Sequence, residues 1–258
     1  MAEPLRNYQG RMATAGTRAD AAIDQGLRAY MIKVYNIMAL GLAVTGVAAL
    51  GTVWFATNPS AAVATLPNGT SLTNFGVLLY TSPLRWVVML APLAMVFFLS
   101  YRVEKMSLSA AQTTFWAFAA LMGISLSSIF LVYTSGSIVQ TFFITATGFL
   151  ALSLFGYTTK RDLSGMGSFL IMGVWGLLLA MIVNMFIGSS ALQFAISAIG
   201  VLVFAGLTAY DTQQIKEMYY EGDGTLVAGR KAIMGALRLY LDFINMFMFL
   251  LQFLGNRE

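Results

Sequence analysis

The 258-residue chain contains no cysteine and no histidine. Their absence removes disulfides, thiol nucleophiles, histidine-liganded zinc and serine–histidine triads together. It also removes the side chain whose charge ordinarily changes near neutral pH. Any proton sensing in that range therefore falls to carboxylates displaced from their usual titration. Charge is scarce as well: only 10% of residues are Asp, Glu, Lys or Arg, against about 25% in a soluble domain. Hydrocarbon takes its place, with 58% of residues hydrophobic. The net charge of +4 does not point to nucleic acid, because basic residues in a membrane protein chiefly set orientation.

The few charges are unevenly spread. Arg85 is the only charge between Lys33 and Arg102, and none occurs from Met106 to Thr159 or from Leu163 to Tyr210. Each of the last two runs is about twice the roughly 20 residues that a spanning helix needs, so each reads as two helices and a turn. Seven apolar segments result, at about 32–56, 79–101, 112–133, 138–157, 168–188, 192–213 and 233–254. They are continuous rather than alternating, which excludes a β-barrel. The fold class is an all-α integral membrane protein.

The loops alternate in charge. The N-terminal tail carries Arg6, Arg11, Arg18 and Arg28; the second loop Arg102 and Lys105; the fourth Lys160 and Arg161; the sixth Lys216, Arg230 and Lys231. The intervening loops carry no Lys or Arg apart from Arg85 at the mouth of the second helix. The positive-inside rule then places the N-terminus in the cytoplasm. Seven full crossings put the C-terminus outside, whereas a re-entrant last segment would return it. Residues 1–29 form a polar cytoplasmic tail, without the apolar core of a signal peptide, and 30–258 form one membrane domain. Pro92 lies inside the second segment, where a kink is expected. Gly41, Gly46 and Gly51, with Gly173 and Gly176, permit close helix contacts.

Acid is nearly excluded from the apolar segments, and its two exceptions are the candidate site. Asp211 ends the sixth segment, and Asp242 lies inside the seventh. An ionisable group at membrane depth is costly and is a functional candidate for that reason. At 1.5 Å per residue, Asp211 lies about 8 Å inward of Lys216 and Asp242 about 15 Å inward of a helix start near Ala232. Tilted neighbouring helices could bring the two together. A carboxylate pair sharing one proton gives it up in steps that belong to the pair. Ionised, it offers the hard oxygens that suit Ca²⁺. The bland alternatives are that Arg238 pairs with Asp242 along one helix face, and that Asp211 caps a helix end among Gln213 and Lys216. Asn245 shares the face of Asp242, and Asn184 and Gln193 read as interhelical glue.

At these residues the chain resembles the Bax inhibitor family. GLTAYDTQQIK (206–216) is similar to the family signature, and LYLDFINMFMFLLQFLGNR (239–257) to its last helix. ALMGISLSSIFLVYT and GYTTKRDLSGMG resemble its bacterial branch. The likeness runs from about Arg28 to the end. It implies six helices around a central seventh, and a pH-sensitive calcium leak gated by an aspartate pair on the last two helices, where Asp211 and Asp242 stand. It also implies an arginine latch at the inner end of the second helix, for which Arg102 is the match and Lys105 a competitor. The implied location is the cell inner membrane.

The primary expectation is thus a channel, not an enzyme, with Ca²⁺ and protons as transported or sensed ions and no cofactor. Asp211, Asp242 and Arg102 form its core, supported by Arg238 and Asn245. A rival is an intramembrane aspartyl protease, which also uses two aspartates on adjacent helices. Tyr210-Asp211 fits half of that pattern, but Asp242 follows Tyr240-Leu241 rather than a Gly-x-Gly run, and no Pro-Ala-Leu follows. A third reading is an interaction protein that modulates a membrane protease or cell-death proteins, suggested by the basic tail and the mixed-charge sixth loop.

Overall fold

The structure, a computed structural model, describes the backbone of residues 3–256 and side chains from Gln25 to Asn256. Helix α1 (Glu3–Ala56) is followed by α2 (Asn74–Tyr80), α3 (Leu84–Arg102), α4 (Leu108–Leu126), α5 (Ser135–Thr158), α6 (Ser164–Ile187), α7 (Ser190–Glu217) and α8 (Thr225–Leu254). Among the described residues seven helices are long and apolar enough to cross a bilayer, with α2 as the short exception. The chain is an all-α, multi-pass membrane protein. The backbone of α1 is helical well before its apolar part begins at Gln25. The tail arginines Arg6, Arg11 and Arg18 lie outside the described side chains.

Helix α8 is the axis of the bundle. Its apolar stretch is the most buried of the seven, and it packs directly on α1, α4, α5 and α7. Helix α3 attaches through α4, and α6 through α7. The reason lies in its composition. Ile233, Leu237, Leu239, Tyr240, Met246 and Leu251 are all essentially inaccessible, so α8 is apolar on most sides, as a core helix must be. Tyr240 stacks edge-on against Phe115 and Phe118 of α4, with ring centroids 6.0 and 5.2 Å away. Its hydroxyl is 2.6 Å from that of Thr45 on α1. The Thr45 hydroxyl also reaches the carbonyls of Gly41 (3.0 Å) and Ala119 (2.9 Å). Three helices are thereby joined by one buried, fully satisfied polar knot, as a low-dielectric interior requires.

Two boundaries differ from those expected. The second segment is not one helix: the chain breaks at Thr81-Ser82-Pro83 between α2 and α3. Pro83 has no N–H to continue a helix. The hydroxyls of Thr81 and Ser82 turn back onto the carbonyls of Val77 and Leu78, which closes α2. Pro92 sits within the continuous run of α3. The last span begins at Thr225 rather than near Ala232, so the α7–α8 connection is only 218–224. Its polar first turns are satisfied at a distance. Arg230 donates to the carbonyl of Met106, and Lys231 binds Asp223 at 2.5 Å and the carbonyl of Met218 at 3.0 Å.

The last helix is long enough to cross fully. At about 1.5 Å per residue its 30 residues span about 45 Å, against a hydrocarbon core of about 30 Å. Just beyond it, Asn256 exchanges hydrogen bonds with the start of α5: Thr134 N–H donates to its carbonyl (3.1 Å), and its own N–H donates to the Ser137 hydroxyl (3.0 Å). The re-entrant alternative is therefore excluded, and residue 256 lies at the end opposite the Lys- and Arg-bearing loops. At that far end the first connection forms a small antiparallel hairpin pairing Ala64 with Leu72 and Thr65 with Ser71. Gly69 takes a left-handed φ of 85° at its tip, a conformation that favours glycine. The side-chain amide of Asn68 anchors the tip on the Leu131 carbonyl at 3.0 Å.

The glycines expected to allow close packing divide. Gly41 lies under Phe115 and Tyr240, and Gly173 faces Val203, whereas Gly46, Gly51 and Gly176 have nothing within 4 Å of the position a Cβ would take. The tightest approach near the aspartates is at Gly156 of α5, where a methyl group would meet the backbone carbonyl of Ala209 on α7. Gly156→Ala should lower thermal stability in detergent despite the gain in helix propensity, by about 1–3 kcal/mol if α5 and α7 are forced apart. Gly176→Ala should leave the melting temperature unchanged or raise it. Melting curves of the two variants check this, and equal melting temperatures would remove Gly156 as a packing constraint.

Candidate functional site

Asp211 sits in the last two turns of α7, and Asp242 in the middle of α8. The two helices are adjacent and joined by a short connection, so the level of one acid is fixed relative to the other. The structure places the two carboxyls near enough to act on each other. Asp242 is 4% exposed, while Asp211 is half-buried. The pair thus has an inner and an outer member, with access from the side of Asp211.

One atom defines the chemistry. Oδ2 of Asp242 is buried without any hydrogen-bond donor among the described residues. Two ionised carboxylates are acceptors only and cannot satisfy each other. A single proton between them supplies the missing donor and converts a repulsive contact into an O–H···O⁻ bond, which is short and strong.

Arg238 lies one turn before Asp242 and is exposed. Its charge acts on both carboxyls, yet among the described residues it forms no ion pair, the one such contact being Lys231 with Asp223. Arg238 is therefore an electrostatic neighbour rather than a fixed neutralising partner of Asp242. The helix-cap reading of Asp211 also finds no support. Gln213 instead clasps the α5–α6 turn, donating to the Arg161 carbonyl and accepting from the Leu163 N–H, each at 2.8 Å. Lys216 donates to the Tyr157 carbonyl at 2.9 Å.

Two other expected residues stand apart from the pair. Arg102 is exposed in the last turn of α3 and makes no ion pair among the described residues. Asn245 donates to the Leu241 carbonyl of its own helix at 2.8 Å, and bridges no second helix through that bond. Asn184 and Gln193 do join helices. Asn184 donates to Gln193 at 3.1 Å, and Gln193 to Gln252 of α8 at 2.8 Å, which ties α6, α7 and α8 at the far end.

The sequence reading missed a hydroxyl chain. Tyr35 of α1 lies 2.5 Å from Ser153 of α5, which lies 2.9 Å from Thr212 of α7, the residue after Asp211. Thr212 in turn donates to the Thr208 carbonyl at 2.7 Å. Nothing in the sequence flags Ser153 or Tyr35, because lone hydroxyls in apolar runs are common and only their alignment is informative. A heptad line was there to be read: Lys231, Arg238, Asn245 and Gln252 recur every seven residues along α8 and so share one stripe.

Among the described residues no group of three or more acidic, histidine or cysteine side chains could hold a metal. The pair supplies two carboxylates, whereas a resident Ca²⁺ takes six to eight oxygens.

The comparisons with known proteins agree in extent with the fold. The family profile described as "Inhibitor of apoptosis-promoting Bax1" matches residues 27–258. An uncharacterized protein of Caulobacter vibrioides is 47% identical over 243 residues, covering 93% of this chain and 94% of its own. The protein RP147 of Rickettsia prowazekii, also uncharacterized, is 46% identical over 242 residues, covering 94% and 95%. The inner membrane protein YbhL of Escherichia coli is 43% identical over 246 residues, covering 93% and 98%. With a match that spans every membrane helix and both aspartates, the chain belongs to the Bax inhibitor family.

Proposed function

We propose that this protein is a pH-sensitive cation leak channel, with Ca²⁺ as the transported ion, in which the Asp211–Asp242 pair is both proton sensor and constriction. The observation that carries the reading is the orphaned Oδ2 of Asp242, facing a second carboxyl inside a membrane bundle. With one proton shared, the pair is hydrogen-bonded and closed. With the proton lost, two like charges repel and present oxygen ligands to a passing cation. The path is closed in acid and opens as pH rises through the release of that proton. Arg238 favours release by its positive charge, and Arg102, which has no ion pair among the described residues, is the residue at the end of α3 available to latch the pair in the closed form. The protein lies in the inner membrane with its basic loops in the cytoplasm, consistent with the name of its Escherichia coli relative and with the positive-inside rule. Access to the pair is then cytoplasmic.

Purified protein in liposomes should show Ca²⁺ flux that rises between about pH 5 and about pH 8, a range in which no ordinary carboxylate titrates. Asp242→Asn and Asp211→Asn should each flatten this pH response. If both variants retain the wild-type response, the pair does not gate. Arg238→Gln removes a cation that favours the ionised pair, so the midpoint of the rise should move to higher pH; an unmoved midpoint would remove Arg238 from the sensor. A helical reporter substrate added to the same liposomes should stay intact, since the pair is assigned no proteolytic step, and its cleavage with loss on either Asp→Asn change would replace the channel by a protease.

A further inference from the structure

Helices α1 and α5 do not close against each other. At the basic end a cleft of about 330 Å³ opens between them. Its walls are the hydrocarbon of Ile32 and Leu154, both largely exposed toward the bilayer, and its floor is the Tyr35–Ser153 hydroxyl contact. Arg28 and Tyr157 stand at its rim. A dry, apolar slot that opens sideways within a membrane helix pair excludes water, because the walls offer it no partners. It fits a hydrocarbon chain.

The rim adds charge to shape. Arg28 falls in the first turn of the apolar part of α1, at headgroup level. The Lys216 ammonium is 5.4 Å from the Tyr157 ring centroid and bonds the Tyr157 carbonyl, so it stands next to the Tyr157 part of the rim. Lys160 and Arg161 follow the end of α5. None of these four cations has an ion pair among the described residues. The neighbouring acid, Asp162, is committed to Ser164, whose hydroxyl first and whose N–H (2.8 Å) second hold its carboxyl below the usual range, so it stays ionised but occupied. Basic pockets between membrane helices recognise anionic headgroups, each cation near the surface adding about 1 kcal/mol.

We infer that the α1–α5 cleft is a binding site for one anionic phospholipid, with an acyl chain between Ile32 and Leu154 and its phosphate held by Arg28 and Lys216. The commitment is to a lipid rather than to free phosphate, because an apolar slot beneath the cations has no use for a soluble anion. The site stands independently of ion conduction, and binding is read without any flux.

The test is native mass spectrometry of the purified full-length protein, titrated in neutral detergent with phosphatidylglycerol and with phosphatidylcholine of the same acyl chains. One phosphatidylglycerol should be retained at clearly lower concentration than phosphatidylcholine. Arg28→Gln should weaken that first binding event about five-fold, the value of one basic contact. Arg28→Gln combined with Lys216→Gln should weaken it more than ten-fold, toward the phosphatidylcholine value. Leu154→Trp, which fills the slot and leaves every cation in place, should weaken both lipids, while Val139→Trp, on α5 in the opposite half of the bundle, should change neither. Unchanged melting temperatures identify the variants that fold. Equal retention of the two lipids by the wild type, or competition by soluble glycerol phosphate as strong as by the lipid, would overturn the proposal. So would indifference to both Arg28→Gln and Leu154→Trp.

Discussion

The constraint on which the site depends is the burial of an acceptor with no donor. Oδ2 of Asp242 is inaccessible and unpartnered among the described residues, in a helix whose other buried groups there are apolar or satisfied. Leaving a polar group in that condition costs about 1–3 kcal/mol, and more when it is charged. The bundle tolerates it because α8 is held from several sides at once: by the aromatic stack on Tyr240, by the Thr45 knot to α1 and α4, and by the amide chain from Asn184 through Gln193 to Gln252. These contacts fix the level of α8 and keep Asp242 facing α7, where its one available partner is another carboxyl. A proton is the smallest thing that satisfies the contact, and on the proposed reading it is what the pair senses in a chain without histidine.

The surroundings divide the pair into unequal halves. Asp211 is half-buried and has Arg238 exposed close by; Asp242 is sealed. Asp211 is thus the member of the pair nearer the surface. The hydroxyls of Tyr35, Ser153 and Thr212 lie behind it and connect α7 to α1 through α5. The α1–α5 seam thus holds an open cleft and is also linked by hydrogen bonds to the residue beside Asp211.

Much of this was legible in the sequence, for reasons that can be named. Seven spans follow from charge-free runs, because hydrocarbon excludes charge uniformly along a helix. The two acids stood out against the same background. Their meeting depended on the α7–α8 connection, and its true length was hidden. Thr225 to Lys231 reads as polar loop, yet it is helix, since Arg230 and Lys231 find carbonyls of Met106 and Met218 that no local pattern predicts. The break at Pro83 was obscured by Leu79 and Tyr80, whose hydropathy continues that of α3. Arg238 is the converse case. Its spacing of four from Asp242 left an ion pair open as the bland alternative, but the guanidinium stays exposed and forms no ion pair among the described residues, because leaving water for a buried carboxylate offsets much of the Coulombic gain. Clefts and hydroxyl chains depend on side chains from three helices and have no sequence signature.

The central claim is that Asp211 and Asp242 share one proton. Infrared spectroscopy of the purified protein reads this directly, through the C=O stretch of a protonated carboxyl. At neutral pH the wild type should show one such band, lost as pH is raised, shifted in heavy water, and absent from both Asp211→Asn and Asp242→Asn. A wild-type spectrum with no protonated carboxyl at any pH where the protein remains folded and its exposed acids are ionised would contradict the account.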